Sequence, residues 1–394
     1  MSAFEYGMGD FHSIAAGAAV LASGGGGSYQ DALAILQQLA DSGWRGTVQV
    51  QNYDGATNGC VLAIMGSPDA ADGLTLASIA NAIHNTVRVL EASTGCTLGC
   101  VIPVEIGPIN SLVPLIAAAL SNGALWVVNG DGAGRAVPEL PQTTFSGSTD
   151  LAPSPCALAS DAVAVSAVES AVLNAGSATK VETLAGGVVA GFGGYCGIAL
   201  WPSNASNAFA LTGNYIAGTL TQAWTLGQWL LTAPTPPTTA EVACAIAVIT
   251  GRAATATVTN FYMTAVTQST SSASLDSGII RLDNAPDSSQ STQTHYIYNL
   301  NENLIMYSTS SAVPDTIAPD SICYYSESTG RGFSNARDDL AAYFDATTGK
   351  STGNTVSIIQ VTAAPQLYQS PGVVASFAGL LRNMGYAGAM PSAC

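Results

Sequence analysis

Apolar positions in the first third of the chain fall into helical stripes and short continuous runs. Leu76, Ile79, Ala80, Ile83, Val87 and Leu90 recur at the helical period of about 3.6 and predict an amphipathic helix. Leu33, Leu36 and Leu39 predict another over 29–40, and a helix over 10–22 precedes the glycine run Gly24, Gly25, Gly26, Gly27. Between the helices, Thr47 to Tyr53 alternates as a strand. Cys60 to Met65, Leu98 to Val104 and Leu125 to Val128 are unbroken apolar runs, as in strands covered on both faces. Ser111 to Leu120 reads as a helix, with Pro114 tolerated in its first turn. Strand–helix alternation of this kind predicts an α/β domain, a mostly parallel sheet between two helical layers.

The pattern changes further on. Ser146 to Ser160, with Pro153 and Pro155, reads as a linker, and Asp161 as the cap of a helix reaching Asn174. A glycine-rich segment over 186–197 follows, then an apolar stretch over 218–231. No charged residue stands between Glu182 and Glu241, but Asn204, Asn207, Asn214, Gln222 and Gln228 interrupt that span. A buried helix therefore fits it better than a membrane crossing. After Arg252, short alternating segments rich in Thr, Ser, Tyr, Val and Ile predict an antiparallel sheet or small β-barrel: 256–266, 278–282, 295–300, 304–308 and 356–361. The expected division is 1–165 and 166–394, with the boundary within about 150–175.

Charge narrows the possible partners. The net charge is −16, with only 10 Lys and Arg in 394 residues. Nucleic acid and anionic membranes require basic clusters, and none is present, so a small-molecule ligand is expected. The 8 cysteines lie partly inside apolar runs, and the polar, acidic opening does not resemble a signal peptide. Reduced thiols in a cytoplasmic protein are the expectation. His12, His84 and His295 are far apart and match no zinc spacing.

Chemistry concentrates after two of the strands. Pro103-Val104-Glu105-Ile106-Gly107 ends one, and Asn129 to Leu140 follows another, carrying Asp131, Gly132, Gly134, Arg135 and Glu139. Ligands of open α/β sheets bind beyond the carboxyl ends of the strands, so Glu105 and Asp131 are expected to share a crevice. Two carboxyls in unlike environments can divide general acid and base work. Asp131 is the expected base, Glu105 the acid or orienting partner, and Glu139 the reserve. Arg135 offers a fork for a substrate carboxylate, or else braces the loop against Glu139. Cys196, flanked by glycines, is a substrate-contacting thiol or a packed one. A divalent cation held by Glu105 and Asp131 is chemically allowed. The Gly24–Gly27 run is either an anion cradle, suited to a phosphate or nucleotide, or a plain hinge.

Leu21-Ala22-Ser23 with Gly24 to Gly27, Pro103 to Ser111 including Asn110, and Gly134-Arg135-Ala136-Val137-Pro138-Glu139-Leu140 form an ordered set. Asn301-Glu302-Asn303-Leu304 and Ala318 to Ile322 extend it. The set resembles the S-methyl-thiohydantoin desulfurase family over nearly the whole chain. The resemblance implies a three-layer α/β domain followed by a domain with a small β-barrel. It also implies hydrolysis of a 2-methylthio-imidazolone ring to a hydantoin and methanethiol. The alternative is a non-catalytic accessory or ligand-binding partner of a hydantoinase-type enzyme; the expected assembly is a homo-oligomer or a complex with such a partner. Asn129, where many members of the family carry an acid, favours that alternative. The crevice is expected at the domain junction, with loops at Tyr195-Cys196 or Asn301-Glu302 closing it, unless Glu302 and Asp320 only satisfy turns.

Overall fold

The computed structural model describes residues 3–66, 74–270 and 276–391. In chain order the first strands and helices are β1 (Phe4–Tyr6), α1 (Met8–Leu21), α2 (Tyr29–Asp41), β2 (Val48–Gln51), β3 (Gly59–Gly66), α3 (Leu76–Thr94), β4 (Cys100–Pro103), α4 (Leu112–Leu120), β5 (Trp126–Val128) and β6 (Gly130–Asp131). They are followed by β7 (Cys156–Ala159), β8 (Ser170–Leu173), α5 (Ala178–Gly191), β9 (Tyr195–Ser203), β10 (Ile216–Ala217), α6 (Thr219–Thr232) and α7 (Thr239–Thr250).

An eight-stranded sheet runs in the order β1-β2-β5-β4-β3-β9-β7-β8. Its centre, β2-β5-β4-β3, is parallel, and antiparallel strands flank it on both sides. Strand alternation sorts β3 between two cores. Cys60, Leu62 and Ile64 pack into the cluster shared with α1 to α4, α6 and α7. Val61 and Ala63 face the opposite cluster, built on α5, Phe145 and Trp201. The three layers are thus helices, sheet, and α5 with its neighbouring loops.

Two segments differ from the sequence reading. The expected linker contains β7, fully buried; a four-residue strand beside two prolines is too short to show a period. The helix expected after Asp161 is instead a short 3₁₀ turn over Val165–Ala167 and the edge strand β8. Val163, Val165, Val168 and Val172 are stiff at χ1 and favour extended backbone, and β7 offers an edge to pair with.

The uncharged helix is α6, buried against α1. Their contact is close because both carry glycine at the crossing. A Cβ added to Gly17 would stand 1.9 Å from the Ala223 carbonyl oxygen, and one added to Gly227 would stand 1.7 Å from the Ser13 carbonyl oxygen. Backbone cannot yield as a flexible side chain can. Gly17→Ala is therefore expected to cost about 2–3 kcal/mol by forcing the helices apart, read as a lower urea midpoint. An unchanged midpoint would show that the crossing tolerates a wider spacing.

The second sheet is antiparallel. It contains β11 (Ala254–Thr270), β12 (Asp276–Asp283), β13 (Thr294–Leu300), β14 (Glu302–Ser308), β15 (Thr316–Ile317), β16 (Ser321–Tyr325) and β19 (Thr355–Val361), in the order β15-β14-β13-β12-β11-β19-β16. A two-residue ribbon, β17 (Phe344–Asp345) with β18 (Lys350–Ser351), precedes β19. The sheet curls until its ends approach, and Asn303 on β14 donates to the Ile322 carbonyl on β16 at 3.0 Å, which nearly closes a barrel. Helices α8 (Arg337–Leu340), α9 (Pro365–Gln369) and α10 (Val373–Asn383) complete the chain. No helix among the described residues is long and apolar enough to cross a membrane.

Candidate active site

A cleft of about 980 Å³, its open mouth included, lies where the strand ends of the first sheet meet the β13–β14 turn of the barrel. Gly26, Gly27, Ile109, Asn110 and Val137 line one part of it, and Asn301 and Glu302 come from the barrel side. Among the described residues its charged lining is acidic: Asp31, Glu105, Glu139, Glu182 and Glu302.

Glu105 follows β4, where the chain leaves the sheet, and is 5% exposed. Its two oxygens are held separately. Oε1 accepts from Asn110 Nδ2 at 2.8 Å, and Oε2 accepts from the Val137 amide at 2.7 Å. Burial raises its pKa to about 7; those two bonds and the Arg135 charge oppose the rise, and the Asp131 charge adds to it. Glu302 begins β14 and is 3% exposed. Burial, then the Glu105 charge, hold its carboxyl well above the usual range, against the pull of Arg135. Its Oε2 is buried and has no hydrogen-bond partner. Gly25 makes room for it: a Cβ there would stand 2.0 Å from Glu302 Oε1. Glu182, on α5, accepts from the Leu140 amide at 2.9 Å. Burial, with a smaller contribution from Glu139, raises it to about 7. Glu139 is half-buried, raised by burial, and accepts from Gln142 at 3.3 Å.

Glu105, Glu139, Asn110, Gly26 and Gly27 are thus brought together, and the seven other expected residues are not cleft-lining. Asp131 is fully buried beside the cleft. Its Oδ1 accepts from the amides of Ala133 and Gly134, the latter at 2.6 Å, so it shapes the loop that presents Val137 to Glu105. Burial raises its carboxyl to about 6, against those amides and the Thr219 hydroxyl. Arg135, expected as a carboxylate fork, is fully buried and committed to carbonyls. Nε donates to Ala136, Nη1 to Pro319 at 3.1 Å and Asp320 at 2.8 Å, and Nη2 to Asn303 at 3.0 Å. It ties the loop to the barrel and does not pair with Glu139. Gly132 packs on Phe145 and Thr143, and Gly134 turns the loop at φ +65°. Cys196 lies fully buried within β9, its thiol pushed up to about 12 by burial. Asn129 braces α6, exchanging bonds with Thr221 Oγ1 at 2.8 Å and the Thr221 amide at 3.2 Å. The position that lacks an acid is therefore outside the cleft lining.

The glycine run is not an open anion cradle. Gly24 and Gly25 pack on Asn303, Asn335 and Glu302. The N-terminus of α2 is already occupied: Asp339 accepts from the amides of Tyr29 at 2.9 Å and Gln30 at 3.1 Å. Ser28 caps the helix and donates to Asp338 at 2.6 Å. Among the described residues, no three His, Cys, Asp or Glu side chains group as a metal cage. The pairing of Glu105 with Asp131 that a shared cation would need is replaced by bonds to Asn110, Val137, Ala133 and Gly134. Asp31 and Glu182 are the lining acids that the sequence reading left out; Glu302 was expected only as part of a loop closing the crevice, not as a catalytic acid. Glu302 had a weak signal in the Asn301–Leu304 motif; Glu182, within a helix, had none.

The fold and the cleft define a two-domain protein, α/β and barrel, with an acid-lined cleft at the junction in which Glu105 and Glu302 are buried. Residues 9–170 match the family model described as the S-Me-THD-like N-terminal domain, and residues 176–375 match the S-Me-THD-like C-terminal domain. The chain belongs to this S-Me-THD-like family. A crystal structure of a protein from Chromobacterium violaceum, a structural genomics target, is similar over 99% of both chains, with a TM-score of 0.79 and 24% identity. That likeness concerns the fold. No curated protein matches the chain.

Proposed function

We propose that this protein is a hydrolase that opens the C–S bond of a small S-methyl-thiohydantoin-type ring. The observation that carries the reading is the pair Glu105 and Glu302: two buried carboxyls lining one cleft, in unlike environments, in a chain of this family. Glu105, near neutrality at about 7, supplies a base once ionised. Glu302, with no basic side chain in hydrogen-bond contact, keeps its proton and serves as the acid. Asp131 moves from base to positioning residue, and Asn110 orients Glu105.

In the proposed reaction, Glu105 takes a proton from water as the water oxygen bonds to the ring carbon bearing sulfur. The C=N electron pair moves onto nitrogen. Glu105 returns its proton to that nitrogen; collapse to C=O then expels methanethiolate, which Glu302 protonates, and the proton shed by the former water oxygen passes through solvent to restore Glu302. Water and the 2-methylthio-imidazolone become a hydantoin and methanethiol, with no redox change.

The test is direct. Full-length protein is incubated with 2-methylthio-imidazolin-4-one from about pH 6 to about pH 9, and free thiol and hydantoin are measured. Equal amounts of both are expected. Binding of the ring without thiol release at any pH would sink the hydrolase reading and support the ligand-binding alternative.

A further inference from the structure

We propose that Arg135 is a positioning residue that acts on Glu105 through one shared peptide bond, making Glu105 and not Glu302 the carboxyl that gives up its proton. This deepens the hydrolase reading and rests on it only for the use to which the charge on Glu105 is put.

The geometry is a chain through three consecutive residues. Arg135 Nε donates to the Ala136 carbonyl at 2.8 Å, and the Val137 amide donates to Glu105 Oε2 at 2.7 Å. That carbonyl and that amide are the two ends of one planar peptide unit. A charged donor on the oxygen draws electron density from the nitrogen and makes its N–H a stronger donor, so the two bonds reinforce each other. The backbone around them is pinned in place. The Arg135 carbonyl accepts from the amide of Ile106, the residue after Glu105, at 3.3 Å, and the Ala136 amide donates to the Ala22 carbonyl at 3.3 Å.

Arg135 also needs a negative charge within reach. It is fully buried, and its guanidinium bonds end on the neutral carbonyls of Ala136, Pro319, Asp320 and Asn303. The Asp320 carboxylate is engaged elsewhere, by the Ala363 amide at 2.8 Å and by Gln360 Nε2 at 3.3 Å. A buried cation without a hydrogen-bonded anion is costly, and a nearby ionised carboxylate offsets that cost. Glu105 and Glu302 both stand within its field. The field favours ionising either one; hydrogen bonding separates them. Glu105 accepts from Val137 and, at 2.8 Å, from Asn110, whereas Glu302 Oε2 has no partner. Bonds to the charged form favour that form. Once Glu105 is ionised, its charge holds the proton on Glu302. Asp131, in the same loop, is the other acid whose charge reaches Glu105, and its Oδ1 is turned to the Ala133 and Gly134 amides. Asp31, Glu139 and Glu182 share the cleft lining.

The link is read in the full-length protein without substrate. Labelled arginine and valine N–H signals are followed by NMR from about pH 5.5 to about pH 9. Val137 is assigned through Val137→Ile, and Arg135 through its contact with the Phe377 ring. The Arg135 Nε–H and Val137 N–H signals are expected to move together with one midpoint near 7, and both to lose that step in Glu105→Gln. An Arg135 signal that ignores the Val137 midpoint overturns the proposal. Arg135→Met removes the charge, and Arg135→Lys keeps it without the Nε bond. In folded protein, checked by a urea melt, the Val137 midpoint is expected to rise by about one unit or more in Arg135→Met and by less in Arg135→Lys. An unchanged midpoint in folded Arg135→Met also overturns the proposal. If Arg135→Met does not fold, the wild-type titration decides alone. Coupled titration without thiol release keeps the link between Arg135 and Glu105 and rejects only the hydrolase reading.

Discussion

Glu105→Gln is expected to lower kcat for thiol release by about 100- to 10,000-fold while the protein stays folded. The glutamine can keep the hydrogen-bond geometry in part, accepting from Val137 or Asn110, but it cannot take a proton from water. The pH profile carries the same prediction with a defined sign. A base works when ionised, and the Glu105 carboxyl is protonated below its pKa of about 7. The wild-type kcat/KM should therefore rise with pH through that value and level off above it. The residual activity of the variant should lack that limb. A variant that keeps wild-type kcat, or keeps the rising limb, would remove Glu105 from the chemistry.

Glu182→Gln is expected to stabilise the protein by about 1–3 kcal/mol at pH 8 and to change little at pH 4. The sign follows from burial. The folded carboxyl has a pKa of about 7 against an ordinary value of 4.5. Below 4.5 it is protonated in both the folded and the unfolded chain and contributes no difference. Between 4.5 and 7 the unfolded chain ionises first and is favoured. Above 7 the full penalty applies. A shift of one unit corresponds to about 1.4 kcal/mol, and partial solvent contact trims the sum. The glutamine carbonyl can still accept from Leu140, so the bond to the loop survives. Urea melts of both proteins at the two pH values check this. Equal stability at pH 8 would mean that the carboxyl is not strained there. A gain coupled to lost turnover would mark Glu182 as part of the site, holding stability below its possible value for the sake of function.

What could be read from the chain was local. The stripe from Leu76 to Leu90 became α3, and the runs at Cys60 and Leu98 became β3 and β4. Periodicity survives folding because an element's buried face must be apolar whatever covers it. Glu105 was legible for a related reason: it stands two residues past a buried strand, where the chain leaves the sheet. The spans that failed were those whose state depends on a distant partner. β7 and β8 exist because they pair with each other, and β9 runs between β3 and β7 from more than a hundred residues beyond β3.

The cleft shows the same division more sharply. The sequence alone determined that the protein is acidic, that cations are scarce, and that Glu105 ends a strand. Only the tertiary structure decided that Glu182 from α5 joins Glu105 around one cavity, and that Glu302 of the expected Asn301–Glu302 loop enters it as a buried carboxyl while Asp131 stays outside the lining. It also decided the fate of Arg135. A lone arginine in an acid-rich loop reads as a ligand fork because its charge is visible in the sequence. Its actual partners are backbone carbonyls of Ala136, Asn303, Pro319 and Asp320, and a carbonyl is carried by every residue. No side-chain pattern can mark such an acceptor in advance; it becomes specific only when folding aims it at the guanidinium and removes the water that would otherwise compete.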